Sequence, residues 1–400
     1  MARFDPQYTE TLPATADLVI IGGGIIGVAT AYFAARAGLN PVVLEKQAMP
    51  GTLTTPKATG AFRAQFDNPD EMALVLEGID FYADFANRTG MDGYDLGIHQ
   101  QGYLWLARSD KSVVRQRELV ADQRSWGLAD VELLDGDEAR RRFSYLSGDV
   151  LGARYREGDG WLDVRRLMMG YVRASQAPIV LRTEVTGIQV MGGRVSGVMT
   201  SRGNIATERV VIAAGPFSAE VGRLAGINLP ITCVRRQRLI LPEAAGVPRD
   251  APMTIDEETG AHWRPWLAGA HLMWTTPTEP VTPPLEDVPT NLAFAYGLLD
   301  PASDHAVAHV SPFWRDVWLS NTSHWLLVAG QYSYTPDHRP LLGASPIDGL
   351  YLNCGYSGHG IMGSAGGSRL TVDVITGAVA SAQNPFRPDR QFADRALDVL

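Results

Sequence analysis

A chain of 400 residues with 45% hydrophobic content can bury a large core and predicts two domains, and a formal net charge of −9 with no basic run excludes nucleic acid and anionic membrane as principal partners. Cys233 and Cys354 are its only cysteines, too few for a disulfide framework or a clustered metal site, so no metal is expected and reduced thiols in a cytoplasmic protein are the simplest reading. Residues 1–16 lack the basic start and apolar core of an export signal, and no apolar run is long enough to span a bilayer, so a soluble protein is expected.

The apolar run Leu18–Ile21 predicts a strand. It passes through Gly22-Gly23-Gly24-Ile25-Ile26-Gly27 into a helical stretch ending at Gly38, and Pro41–Leu44 predicts a second strand that closes on Glu45. Strand, glycine turn, helix, strand and acid together make a dinucleotide-binding unit. Gly22 permits the tight turn, Gly24 lets backbone approach a pyrophosphate, Gly27 lets helix and strand pack closely, and the helix N-terminus faces the anion. Glu45 can accept a hydrogen bond from a ribose hydroxyl and would repel a 2'-phosphate, so FAD or NAD is expected rather than NADP.

Beyond Lys46 the stretch to Gly60 is rich in Thr, Pro, Gly and Ala, as a loop would be. Helical spacing follows over 68–89 at Met72, Leu74, Val75, Ile79, Phe81, Tyr82 and Phe85. Residues 99–107 predict a strand, 109–128 a solvated helix, and the acids at 135–138 the first turn of a short helix. A further helix is expected to open at 160–163, with short strands at 179–181, 185–188 and 195–198 and a buried strand at 210–216 ending in a small-residue turn. The 226–323 stretch is rich in Pro and Trp with alternating segments such as 270–274, and predicts a separate sheet that covers something. The chain closes with strands at 325–330 and 350–352, the glycine-rich segment 355–360, and a long small-residue helix from Ser364 to Ala380.

With these blocks in this order, the chain resembles the FAD-dependent amino-acid oxidase family that contains D-amino-acid oxidase, glycine oxidase and sarcosine oxidase. Two segments, Thr54-Thr55-Pro56-Lys57-Ala58-Thr59-Gly60-Ala61-Phe62-Arg63-Ala64-Gln65-Phe66 and Gly260-Ala261-His262-Trp263-Arg264-Pro265, are similar to the beta subunits of heterotetrameric sarcosine oxidase and proline dehydrogenase. Gly355-Tyr356-Ser357-Gly358-His359-Gly360 looks like a late hallmark of the same family. The resemblance implies an α/β fold with a Rossmann-type FAD-binding domain built from the discontinuous segments 1–93, 147–226 and 327–400. An α+β substrate-binding domain with an antiparallel-rich sheet, from 94–146 and 227–326, would lie over the flavin.

The implied activity is FAD-dependent oxidation of the carbon–nitrogen bond of a small secondary or N-methyl amino acid, sarcosine first. A hydride equivalent passes to flavin N5, the imine is hydrolysed, and oxygen or another acceptor takes the electrons; a partner subunit is a further implication. Two alternatives stand beside it: an FAD-dependent 2-hydroxy acid dehydrogenase, and a flavoprotein assembly or binding factor with little turnover.

Three residues are catalytic candidates. Arg63 falls where the resembling oxidases carry a carboxylate-binding arginine, against the alternative of a surface arginine beginning the next helix. Lys57 would place a positive charge beside the isoalloxazine ring, or is a solvated loop lysine; His262 would line the substrate pocket, or is a structural histidine.

For the cofactor, Gly22, Gly24, Ile25, Ile26, Gly27, Glu45 and Lys46 come from the first unit, and Thr54, Thr55 and Thr59 from the loop after it. Val185, Ala214 and Gly215 follow, then Gly355, Gly358, His359, Gly360, Ile361 and Met362, where backbone N–H groups and a helix N-terminus would stabilise reduced flavin. Arg264 and Arg339, each before a proline, are read as turn and interdomain residues.

The chain also departs from the pattern. Monomeric sarcosine oxidases place a lysine after the Gly-His-Gly segment, where Ile361-Met362 stands here, and another in the covering domain, whereas this chain has no lysine after position 111. Their flavin-tethering cysteine would fall near Gln331, and the tethering histidine of heterotetrameric forms near Thr55 to Lys57, so FAD is expected to be held noncovalently.

Overall fold

A computed structural model describes residues 4–275, 284–320 and 324–393. Parts of the 226–323 stretch, at 276–283 and 321–323, lie outside the described residues. Leu18–Ile21, buried at every position, sits at the centre of a seven-stranded sheet. Pro41–Leu44, Ile179–Val180 and Tyr8–Thr9 extend the sheet to one side, and Val210–Ile212, Leu350–Cys354 and Leu341–Ala344 to the other. Every pairing is parallel except the last, which is why these strands read as continuous apolar runs: both faces are covered.

Alternation within the central strand divides the two cores. Leu18 and Ile20 pack against the helices Ile25–Arg36, Val164–Ser175 and Gly360–Thr376. Val19 and Ile21 pack against Ile188, Val195, Val198 and Ile205 of a three-stranded antiparallel sheet. Two of its strands were expected; the third, Gly203–Ala206, was too short to show a period.

The second large sheet has eight strands, in the order Leu326–Tyr334, Thr232–Leu241, Gly269–Trp274, Ala261–Trp266, Met253–Asp256, Tyr103–Ala107, Gly152–Arg156 and Glu132–Asp135. It is antiparallel apart from the one junction between Met253–Asp256 and Tyr103–Ala107. Leu239, Leu241, Ala261, Trp263, Ala270 and Leu272 point to one side, where Phe294, Leu298 and Trp314 of two helices seal them in. The alternate residues, among them Arg238, His262 and Met273, point to the other side.

Four expectations need correction. Gly160–Trp161 is a two-residue strand paired with Ala61–Phe62, and Asp163 caps the helix Val164–Ser175 that follows. The last helix starts at Gly360, not Ser364, because tertiary packing overrides the poor helix propensity of Gly360 and Gly363. The covering sheet takes in 152–156 and 326–334, which the segments 147–226 and 327–400 assigned to the cofactor domain, because each completes a ladder with a strand already in that sheet. The 226–323 region is not sheet alone, since it holds the helices Leu292–Leu299 and Trp314–Ser320.

Candidate active site

A cavity of about 690 Å³ runs from the tip of the first parallel strand to the underside of the eight-stranded sheet. At its first end Gly22 has φ 111°, and a Cβ there would stand 2.6 Å from the Ala213 carbonyl oxygen. A Cβ on Gly27 would stand 1.8 Å from the Gly22 carbonyl oxygen, so the turn and the helix Ile25–Arg36 can close only around glycine. At Gly24 the nearest atom to such a Cβ is Thr55 Oγ1 at 3.5 Å, which leaves room for another group to approach. A helix leaves its first N–H groups without intrahelical acceptors; Ile25 N–H donates to Thr55 Oγ1 at 3.1 Å, and the turn itself opens on the cavity.

Glu45 is nearly buried beside this turn, its Oε2 accepting from Gly23 N–H at 2.9 Å and its Oε1 from Gln47 N–H at 2.7 Å. Burial pushes its carboxyl upward against those bonds. Lys46 lies over the Phe217 ring and pairs with Glu286 at 2.6 Å, which places it at the acid end of the cavity. Val185, Ala214 and Gly215 line the same end, and Thr54, Thr55, Lys57 and Thr59 lead along the wall toward the covering sheet. The turn and the acid fit FAD: Gly22 to Ile26 would hold its pyrophosphate and Glu45 its ribose.

At the other end Arg63 is 2% exposed. Asp159, with no exposure at all, accepts from Ala64 N–H at 2.8 Å, Gln65 Nε2 at 2.9 Å and Arg156 Nη1 at 2.6 Å, which fixes the segment following Arg63. The Gln65 carbonyl then accepts from Arg63 Nη1 at 3.0 Å, and the guanidinium lies over the Phe66 ring, 4.4 Å from its centroid. Burial lowers the Arg63 pKa, with Tyr103, Asp159 and Glu71 opposing the shift.

His359 stands at the N-cap of Gly360–Thr376. Its Nε2 lies 3.3 Å from Arg63 Nη2, its Nδ1 3.6 Å from Glu71 Oε1, and its ring meets Phe66 edge-on. Glu71 is itself placed by a reciprocal cap: Asn68 Oδ1 accepts from Glu71 N–H at 2.8 Å, and Asn68 Nδ2 donates to Glu71 Oε2 at 2.7 Å. Burial alone would raise the Glu71 carboxyl, but the neighbouring His359 imidazole and the Asn68 bond hold it below the usual range.

His262 lies on Ala261–Trp266, with Nδ1 2.8 Å from the Gly260 carbonyl. A carbonyl only accepts, so Nδ1 carries the proton and Nε2 is the acceptor. Burial brings the His262 pKa down to about 4, and the imidazole is neutral at pH 7.

All the sequence candidates except Gly27 line this one cavity; Gly27 packs behind it against the Gly22 carbonyl. Lys57 is exposed on the short turn Thr55–Lys57, beside Gly330. Ile361 and Met362 are buried and apolar. For Arg264 the turn reading needs correction, since it is a strand residue, 3% exposed, and its Nη2 donates to the Thr59 carbonyl at 2.6 Å, a bond from the 227–326 segment to the 1–93 segment. Sequence reasoning missed Glu71, Tyr103, Tyr332 and Arg238; the readable signal for the last was an arginine directly before the apolar end Leu239-Ile240-Leu241 of the strand Thr232–Leu241.

A family model described as FAD dependent oxidoreductase matches residues 17–374. Mitochondrial sarcosine dehydrogenase of Mus musculus is 27% identical over 383 residues, covering 92% of this chain and 40% of that protein. Mitochondrial dimethylglycine dehydrogenase of Rattus norvegicus is 25% identical over 371 residues, covering 90% and 43%. The chain thus spans about two fifths of the length of these curated relatives. In fold, the chain is similar to the crystal structure of L-proline dehydrogenase from P. horikoshii, with a TM-score of 0.81 at 23% identity over 94% of this chain and 98% of that one.

Proposed function

The chain belongs to the family of FAD-dependent oxidoreductases, and from that premise we propose that it oxidises the carbon–nitrogen bond of a small secondary or N-methyl amino acid. The observation that carries this reading is the buried Arg63 guanidinium in the same cavity as the dinucleotide turn. The names of the mouse and rat relatives point the same way, since sarcosine and dimethylglycine are both N-methyl amino acids.

FAD, when bound, supplies a flavin that accepts a hydride equivalent from the carbon next to nitrogen. Arg63 grips the substrate carboxylate through its planar fork, and Gln65, Phe66 and His359 keep that fork from turning. The amine must be uncharged for hydride to leave. No Asp or Glu of the covering sheet lines the cavity among the described residues, whereas Arg236 and Arg238 do, so the local field disfavours an ammonium. Tyr103, Met253 and Met273, packed with Trp105 and Ile255, keep water from the reacting carbon until the imine forms.

The test is anaerobic mixing of the FAD-loaded protein with sarcosine, L-proline, glycine and L-2-hydroxyglutarate in turn, watching the oxidised flavin band, then admitting air. Bleaching by sarcosine or proline supports the reading, and the rate of recovery in air assigns oxygen or another acceptor. Bleaching by the hydroxy acid alone, or by none of the four and by neither N-methylaspartate nor N-methylglutamate, refutes it.

A further inference from the structure

Resting on that reading, the covering sheet holds a buried positive charge that a single carboxylate does not use. Arg238 is 8% exposed, in cross-strand register with Val328 on one side and Met273 on the other, and His262 follows Met273 in the next strand. Its Nη1 donates to the Ala58 carbonyl at 2.6 Å, and its Nε makes no hydrogen bond. Behind it Arg264 donates to the Thr59 and Pro265 carbonyls, with Nε again unbonded. Burial lowers Arg264 to about 9, with Arg238 adding repulsion, and lowers Arg238 to about 10, so both stay charged at neutral pH.

Among the described residues neither guanidinium has a carboxylate partner, although other buried arginines do: Arg156 pairs with Asp159 and Asp130, and Arg390 with Asp337. Arg154 also lacks an ion pair, but it stacks on Trp105, feels Glu257 and does not line the cavity. Arg238 does line it. An uncompensated buried charge is costly, and a site that retains one gains most from an anion that arrives with the ligand. Oxidised flavin is uncharged at its ring, and its pyrophosphate belongs at the opposite end, at Gly22 to Ile26. In the resting oxidised state the anion can come from the substrate.

Arg63, Arg238 and Tyr332 line the same cavity. We infer that Arg238 receives a second carboxylate of the substrate while Arg63 holds the first, so that the substrate class is a secondary or N-methyl amino acid with two carboxylates.

The test titrates the FAD-loaded protein with the unreactive acids malonate, succinate and glutarate, and with acetate, propionate and butyrate, reading the perturbed flavin spectrum. At least one dicarboxylate is expected to bind about tenfold or more tighter than the monocarboxylate of equal length, the gain of one charge-assisted contact. Arg238→Met should remove that difference while leaving monocarboxylate affinity within about twofold, and Arg238→Lys should keep part of it. No dicarboxylate advantage in the unmodified protein, or an advantage that survives Arg238→Met, overturns the inference. So does equal weakening of both series, which would make Arg238 a brace for Ala58. Sarcosine, N-methylaspartate and N-methylglutamate then separate the two readings. If sarcosine reduces the flavin as well as either diacid, the inference fails and amine oxidation stands. If no amine reduces it while the dicarboxylate advantage depends on Arg238, the second carboxylate site at Arg238 stands, and amine oxidation and the amino-acid substrate class fail.

Discussion

His359 Nε2 faces Arg63 Nη2 at 3.3 Å, and because a guanidinium can only donate, the imidazole presents its lone pair there and its Nδ1 proton toward Glu71. One carboxylate thereby fixes the tautomer of the histidine that steadies the arginine, the arrangement by which outer groups orient the group that meets a ligand. Glu71 is thus a positioning residue. Glu71→Gln should raise KM for the amine about threefold to tenfold with kcat changed less, since a looser Arg63 weakens carboxylate binding in ground and transition states alike. Equal loss in kcat and kcat/KM would contradict this.

Replacing Arg63 should have a far larger effect. Arg63→Ala removes a buried bidentate donor, and truncating one side of such a contact costs about 2–5 kcal/mol, or roughly 30-fold to several thousandfold in kcat/KM. FAD content should stay near that of the unmodified protein, because Arg63 lies at the far end of the cavity from the dinucleotide turn. Loss of flavin together with activity would move Arg63 from substrate to cofactor.

The His262 pKa falls from an ordinary 6.5 to about 4 in the folded chain, through burial. Between those values the unfolded state binds a proton that the folded state refuses, so stability rises with pH across the window and is lost as pH falls from about 6.5 toward 4. His262→Asn keeps a side-chain amide donor for the Gly260 carbonyl but cannot titrate. The melting temperature of the variant should fall less than that of the unmodified protein between pH 7 and pH 5; parallel profiles would show that His262 does not report on burial.

Local features of the site were legible in the sequence. The turn at Gly22 to Gly27 and the acid at Glu45 are contiguous in the chain and tied to backbone geometry, so their residue types announce them. Glu71 was not legible because its partner His359 lies 288 positions away, and its own neighbourhood explains it fully as the acid of a helix cap. Arg264 was misread because an arginine before proline suggests a turn, whereas Pro265 sits within Ala261–Trp266, paired with Ala270. Arg238 required knowing which face of Thr232–Leu241 met a cavity, and alternation gives two faces without saying which is inside.

Attachment of the cofactor follows from the thiols. Cys354 lines the cavity, but burial pushes its pKa up to about 12, and Cys233 donates to the Pro216 carbonyl with its own pKa raised by burial. Neither supplies a thiolate at neutral pH, and the segment Thr54 to Lys57 carries no histidine or cysteine. Acid precipitation should therefore leave all the flavin in the supernatant; yellow colour retained in the pellet would show a covalent bond.

Gly24 and Gly27 lie three residues apart in one turn, yet they should fail differently when given a methyl group. At Gly27 the new carbon would meet the Gly22 carbonyl at 1.8 Å, so Gly27→Ala must push the helix Ile25–Arg36 off the strand and should lower the melting temperature even before cofactor is added. At Gly24 it would meet only Thr55 Oγ1 at 3.5 Å, an ordinary contact, so Gly24→Ala should fold as an apoprotein with nearly unchanged stability. Its cost should appear when FAD is titrated in, as weaker binding by about tenfold or more, because the methyl group occupies the approach to the helix N-terminus. Apoprotein melting followed by flavin fluorescence titration separates the two, and equal FAD affinity in Gly24→Ala would place the pyrophosphate elsewhere.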